Sequence, residues 1–120
     1  IDREFDIVEL AKAAGATFVA RCTTYHVQQM TETIEKAITH KGFSVVEVLT
    51  QCPTYFGRKN KIGGAADMIT WFKDHTTPIG SKAKQENAAL IERGIFVQIT
   101  APEYCEEYQK VVERATKGRT

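Results

Sequence analysis

The chain has 120 residues, of which 42% are hydrophobic and 26% charged, and its formal net charge is +1. This length allows one domain, and the near-neutral charge gives no electrostatic reason to expect binding to nucleic acid or a membrane surface. No apolar run approaches the roughly 20 residues that span a bilayer, and no signal peptide is visible. Three widely spaced cysteines do not form the pattern of a secreted disulfide framework, so we expect a cytoplasmic location. The first residue is not Met, which favours a fragment of something longer.

The first predicted elements are a helix and a strand. Asp6 and Glu9 have the spacing of a capping box, and Gly15 is typical of a position just past a helix end. The run "TFVARC" at residues 17–22 is mostly apolar without strict alternation. It therefore predicts a strand that is buried on both faces.

A second helix and strand follow. Thr24 is a plausible N-cap, Gly42 is a plausible end, and apolar residues recur between them at helical spacing. These apolar residues are Val27, Met30, Ile34 and Ile38. Residues 43–50 are rich in β-branched side chains and predict a second buried strand. Strand, helix and strand in this order predict a parallel βαβ unit with a right-handed crossover.

The rest of the chain reads less regularly. A third helix is marked by Ala65, Met68, Ile69 and Phe72. Residues 74–87 are rich in Gly, Pro, Ser and Lys, which predicts an exposed linker. We expect a short helix at residues 89–94 that Gly94 ends, and then an edge strand in "IFVQI". The spacing of Thr100 and Glu103 predicts the start of a last helix.

The fold class that these elements predict is α/β, but the parallel strands are too few for a free-standing sheet. We therefore expect the second half of an α/β domain, whose apolar faces stay exposed unless a missing half covers them. The predicted division is residues 1–75 for that half domain and residues 76–120 for a C-terminal extension with a terminal helix.

Chemistry is expected at the carboxyl ends of the strands, where open α/β sheets bind their ligands. Cys52 stands there, followed by Pro53 and a basic, aromatic loop. It is either a structural thiol, a metal ligand, or a nucleophile with His26 as its base. The Cys-Pro pair also occurs in iron–sulfur proteins, although the dipeptide alone is weak support. "GRKNKIGG" is a possible phosphate loop, but a solvated basic loop is favoured for Lys59 and Lys61.

A family resemblance covers nearly the whole chain and is weakest after Lys82. "FDIVELAKAAGA" through "GFSVVEVL" is similar to thiamine-diphosphate enzymes in general. "HKGFSVVEVLTQCPTYFGRKN" resembles the C-terminal half of the thiamine-diphosphate-binding beta subunit of 2-oxoacid:ferredoxin oxidoreductases, and in particular of those acting on 2-oxoglutarate.

The resemblance implies one metal ligand in this chain. In that family the beta subunit binds a 4Fe–4S cluster through four cysteines, and the fourth matches Cys52. The other three, together with the residues that hold thiamine diphosphate and Mg²⁺, belong to an N-terminal region that this chain lacks. No residue here is therefore assigned to catalysis or to thiamine diphosphate. Cys22 and Cys105 match no ligand position and are interpreted as structural.

The resemblance also implies a reaction and its partners. The reaction is oxidative decarboxylation of a 2-oxoacid with coenzyme A, with electrons passing through the cluster to ferredoxin. The implied partners are the N-terminal half of the same subunit and the alpha subunit. Pyruvate or another 2-oxoacid is the alternative substrate, and a non-catalytic binding or assembly module is the alternative class of protein. Arg58 and Lys59 are expected either to act near the cluster and ferredoxin or, as we favour, to form a subunit contact or a solvated face.

Overall fold

The structure is a computed structural model that describes residues 5–118. It contains short and medium helices around one four-stranded sheet. In chain order the elements are α1 (Ile7–Ala13), β1 (Phe18–Thr23), α2 (Val27–Thr39), β2 (Ser44–Leu49), a π-helical turn (Pro53–Gly57), α3 (Arg58–Asn60), α4 (Ala65–His75), β3 (Thr76–Pro78), α5 (Lys82–Glu86), β4 (Ile91–Gln98) and α6 (Tyr104–Lys117).

The predicted βαβ unit is confirmed. β1 and β2 are parallel neighbours, with Phe18 opposite Ser44 and Thr23 opposite Leu49. α2 connects them, and both strands therefore end at the same edge of the sheet. That edge carries the residues that follow Leu49, including the Cys52 loop.

The sheet is mixed, because its order is β2-β1-β4-β3 and β4 runs antiparallel to β1. The predicted helix at residues 89–94 is wrong, since β4 begins at Ile91 and continues through Gly94. The predicted edge position is also wrong, since β4 lies between β1 and β3. Strand pairing with β1 and β3 fixes the extended backbone here, and such pairing depends on distant residues.

β1 is the centre of the core, as its apolar sequence predicts. Phe18, Val19 and Cys22 are completely buried, and the strand is covered on both faces. On one face, Val19 packs in a cluster with Val8 and Ala11 of α1. Burial of each large apolar side chain contributes about 1.5–3 kcal/mol, so this strand and α1 form the best-packed part of the molecule.

An ion-pair network ties α1 to the sheet. Arg21 of β1 donates to the carboxylate of Glu47 on β2 and, at 2.9 Å, to the carboxylate of Asp6. Asp6 is the N-cap of α1, and it also accepts the backbone N–H of Val8 at 3.0 Å. The N-cap predicted at Asp6 is therefore confirmed, and it has a second role as a partner of the sheet.

α2 begins and packs differently from its prediction. Its N-cap is His26, and Thr24 instead contacts the carbonyl of Leu49 at the end of β2. The buried position of α2 is Thr33, while three residues of the predicted apolar stripe are exposed. These are Val27, Ile34 and Ile38. The stripe thus exists, but most of it faces away from the described core.

The predicted linker contains regular structure. β3 pairs in parallel with the first residues of β4, and Thr76 and Thr77 are buried. Ser81 accepts the N–H of Ala83 at the start of α5. Composition suggested an exposed segment, but pairing with β4 buries its first residues. The proposed boundary near residue 75 lies between α4 and β3 and stays a prediction.

The last helix begins at Tyr104, with Glu103 as its N-cap. The Glu103 carboxylate accepts the N–H groups of Cys105 and Glu106, at 2.8 and 3.3 Å. Lys41 pairs with Glu106 at 2.8 Å and links α6 to the loop before β2. No residue of α6 is buried among the described residues.

Candidate functional site

Cys52 lies on a tight helical turn directly after β2. The turn spans Pro53–Gly57 with π-helical hydrogen bonding, and the Gly57 N–H donates to the Cys52 carbonyl at 2.9 Å. α3 extends it to Asn60, and Lys61 ends the run in the left-handed conformation with φ of 55°. Wide π-type turns occur frequently at functional sites. The Cys52 side chain is exposed at the start of this turn.

The Cys52 sulfur is placed where backbone N–H groups converge. The N–H groups of Phe56 and Tyr55 donate to Sγ, and these bonds hold the pKa of the Cys52 thiol below its usual value. A thiolate is both the nucleophilic form of cysteine and its metal-ligating form. The turn therefore favours the ionised form of a cysteine that solvent, or a partner group, can reach.

An apolar cavity of about 380 Å³ adjoins Cys52. It lies between the turn and α4, and its walls include Leu49, Phe56, Met68, Trp71 and Ile91. Met68 is buried, and its sulfur is in close contact with Gly57 of the turn. The thiol thus has water on one side and an apolar wall on the other.

The structure does not bring Cys52 and His26 into a catalytic pair. The Nδ1 atom of His26 is 2.8 Å from the Thr23 hydroxyl, and no hydrogen bond joins His26 to Cys52 within residues 5–118. Burial, with Arg93 nearby, lowers the pKa of His26. A neutral imidazole that is held by Thr23 is oriented for the end of β1 rather than for the thiol.

The other two cysteines have contrasting environments. Cys22 is completely buried, its S–H points to the Glu47 carbonyl at 3.7 Å, and burial raises its pKa. Cys105 is exposed on α6, and the charge of Glu103 raises its pKa. Across the described residues no group of three or more His, Cys, Asp or Glu is placed to hold a metal ion. Cys52 can therefore supply one ligand, and any further ligands must come from outside the described residues.

Basic side chains surround the turn without a buried anion site. Arg58, Lys59 and Lys61 are all exposed, and Nζ of Lys59 lies 4.5 Å from the centre of the Tyr55 ring. This arrangement agrees with the solvated basic loop that the sequence favours for Lys59 and Lys61. In residues 5–118, no helix is long and apolar enough to cross a membrane.

Two features of the site were not predicted from the sequence. The N–H groups that reach Cys52 Sγ arise from the π-type turn, which has no local sequence signature in this chain. The contact between Gly57 and Met68 joins residues on separate elements. A signal was present in Gly57 itself, because a glycine inside a helical segment needs a steric reason.

Comparison with known proteins identifies the relatives of this fold. Residues 1–48 match the family described as "Thiamine pyrophosphate enzyme, C-terminal TPP binding domain". "2-oxoglutarate synthase subunit KorB" of Methanocaldococcus jannaschii is 41% identical over 117 residues, which are 95% of this chain and 43% of the relative. The chain is a relative of these beta subunits. The family that the sequence resembles is thereby confirmed.

Other comparisons agree with this relationship. "2-oxoacid:ferredoxin oxidoreductase 2, subunit beta" of Aeropyrum pernix is 52% identical over 48 residues, covering 40% of this chain and 16% of the relative. The structure of 2-oxoglutarate:ferredoxin oxidoreductase from Magnetococcus marinus matches with a TM-score of 0.74 at 21% identity, over 96% of this chain and 40% of that one. The structural match confirms the fold. The chain spans about two-fifths of the length of the KorB subunits that it matches.

Proposed function

We propose that this chain is the C-terminal part of the beta subunit of a 2-oxoacid:ferredoxin oxidoreductase, with 2-oxoglutarate as the favoured substrate. The similarity to KorB over 95% of the chain carries this proposal. The reaction is the CoA-dependent oxidative decarboxylation of the 2-oxoacid, with ferredoxin as electron acceptor. Partners are the rest of the same subunit and the alpha subunit, and the location is the cytoplasm.

Within this assembly, Cys52 is proposed as one thiolate ligand of a 4Fe–4S cluster. Its sulfur is exposed, accepts two backbone N–H groups and has a lowered pKa, which together suit a thiolate ligand of iron. In the complete enzyme, thiamine diphosphate supplies the carbon–carbon bond cleavage and the cluster supplies one-electron transfer. Hydrogen bonds to ligand sulfur are one means by which proteins set a cluster's reduction potential.

The same residues do not fit thiamine diphosphate or Mg²⁺ on their own. The part of the chain that the structure describes has no cluster of carboxylates or imidazoles that could hold a metal ion. The role proposed for this chain in binding thiamine diphosphate is therefore structural. β1, β2 and α2 provide the sheet edge against which the remainder of the subunit completes the site.

Substitution of Cys52 in the complete enzyme tests the ligand assignment. Cys52→Ser should lose most of its cluster iron and its reduced-cluster EPR signal, because a hydroxyl replaces a soft thiolate. Cys105→Ser is the matched control, since Cys105 is also exposed, and it should keep both. Cys22→Ser should keep the cluster and lose some stability. A wild-type signal from Cys52→Ser would remove Cys52 from the ligand set.

A further inference from the structure

The turn that carries Cys52 touches the rest of the molecule at a glycine. Gly57 is the last residue of the π-helical turn, and its N–H closes the ring onto the Cys52 carbonyl. Phe56 and Tyr55, whose N–H groups reach the Cys52 sulfur, lie immediately before it. The position of Gly57 therefore determines how these donors stand over the thiol.

Backbone conformation does not explain why residue 57 is glycine. Its φ of −62° and ψ of −45° are ordinary helical values. Alanine is preferred over glycine in such a conformation by about 1 kcal/mol. A steric reason is needed instead, and the structure supplies one. A Cβ built on Gly57 would lie 2.6 Å from Sδ of Met68 and 3.6 Å from the Cys52 carbonyl oxygen.

Met68 is held firmly from its own side. It lies on α4, is buried to within 6% of its surface, and forms part of the wall of the cavity beneath Cys52. α4 also contributes the buried Phe72 to that wall. The sulfur of Met68 thus meets the turn from below, at the one residue of the turn that is buried.

We propose that Met68 is a positioning residue for Cys52, acting through its contact with Gly57. The contact holds the turn close to α4, at the height where the N–H groups of Tyr55 and Phe56 reach the sulfur. This inference rests on the proposed function, which takes Cys52 as a cluster ligand. It adds the residues that place this ligand, and neither of them touches the cluster.

The test compares Gly57→Ala with Gly57→Ala/Met68→Ala in the complete enzyme. Gly57→Ala should lift the turn, lower the iron content by about twofold or more and change the EPR line shape of the reduced cluster. Because methionine is flexible, a displaced Met68 side chain would relieve part of the clash. Removing that side chain in the double variant should restore iron and line shape toward wild type.

Controls separate this role from general destabilisation. Gly64→Ala is the matched glycine variant, because Gly64 has φ of −85° and its nearest Cβ contact is ordinary at 3.7 Å. It should keep the wild-type spectrum, as should the conservative Met68→Leu. Equal effects of Gly57→Ala and Gly64→Ala would overturn the proposal. So would strictly additive effects of the substitutions at positions 57 and 68.

A second measurement distinguishes failure of this inference from failure of the proposed function. In protein stripped of iron, the alkylation rate of Cys52 is compared with that of exposed Cys105 at one fixed pH. Gly57→Ala should lower the ratio by about threefold, and the double variant should recover it. Wild-type enzyme without iron would contradict the proposed function, and this ratio would still decide the positioning role. An unchanged ratio in Gly57→Ala would refute that role.

Discussion

At the scale of single residues, two exposed thiols of this chain are charged in opposite ways by their surroundings. Cys52 accepts N–H groups of Phe56 and Tyr55, and its pKa is lowered. Cys105 lies beside the Glu103 carboxylate, and its pKa is raised. Both sit near the start of a helical segment, so the difference comes from the neighbouring groups rather than from exposure.

These opposite shifts predict different pH profiles of alkylation. In protein without iron, the rate at Cys52 should reach its half-maximum at a lower pH than the rate at Cys105, because only the thiolate reacts. Mass spectrometry of iodoacetamide-treated protein can follow both sites together. Glu103→Gln should lower the midpoint for Cys105 and leave that of Cys52 in place. Coincident midpoints in the wild-type protein would be incompatible with the hydrogen bonds described for Cys52.

At the scale of elements, β4 depends on a glycine inside the strand. Gly94 has φ of +136°, and it pairs with Arg21 next to the point where the register between β1 and β4 shifts. A Cβ at this position would lie 3.0 Å from Cγ2 of Ile79. The bend that β4 needs in order to reach both of its neighbours is therefore concentrated at one residue.

Gly94→Ala should destabilise the protein. A non-glycine residue at this φ is strained, and such strain costs about 1–3 kcal/mol. The urea midpoint of the complete subunit should fall accordingly, as followed by circular dichroism. Gly118→Ala is the control, since its φ is −82° and its nearest contact is 3.7 Å away. It should shift the free energy of unfolding by no more than about 0.5 kcal/mol.

Local signals in the sequence predicted some elements well and others poorly. The cap at Asp6 and the buried run of β1 depend on neighbouring residues, and both were predicted correctly. Residues 89–94 carry no comparable signal, because their extended backbone depends on pairing with β1 and β3. For the site, Cys52 was chosen by its place after β2 and by resemblance. The role of Met68 was not predictable, because it depends on how α4 packs on the turn.

At the scale of the whole molecule, the described residues leave long apolar surfaces uncovered. The molecule is elongated, measuring 69 × 34 × 33 Å. On α2, Ile38 is 78% exposed and Val27 is 57% exposed. On α6, Tyr104 is 75% exposed, and its ring stacks on that of Tyr108. Exposed apolar patches of this kind mark interaction surfaces or aggregation risks.

The isolated chain should therefore self-associate. Sedimentation velocity over a range of concentrations should show species larger than the 13.4 kDa monomer. Ile38→Lys should shift the distribution toward the monomer, because it places a charge at the most exposed part of the α2 face. Thr31→Lys, on the exposed polar side of α2, is the control and should change little. A monodisperse monomer that melts cooperatively would show that the chain closes its own core.

Thiamine diphosphate should not bind to the isolated chain with micromolar affinity. Residues 5–118 offer no cluster of side chains for Mg²⁺, and the diphosphate is expected to be held by the remainder of the subunit. Calorimetry with thiamine diphosphate and Mg²⁺ should give no heat of binding, whereas the complete enzyme should give a clear isotherm. Micromolar binding to this chain alone would move the cofactor site into it.

The place of β4 in the sheet also has a consequence for biosynthesis. β1 and β2 can pair as soon as both have left the ribosome, but the second edge of β1 must wait for β4, near the far end of the chain. Until then a strand of high apolar content has an open edge, which can pair with other nascent chains. Translation that stalls in α5 would leave this edge open, and release of such a truncated product would favour aggregation over folding.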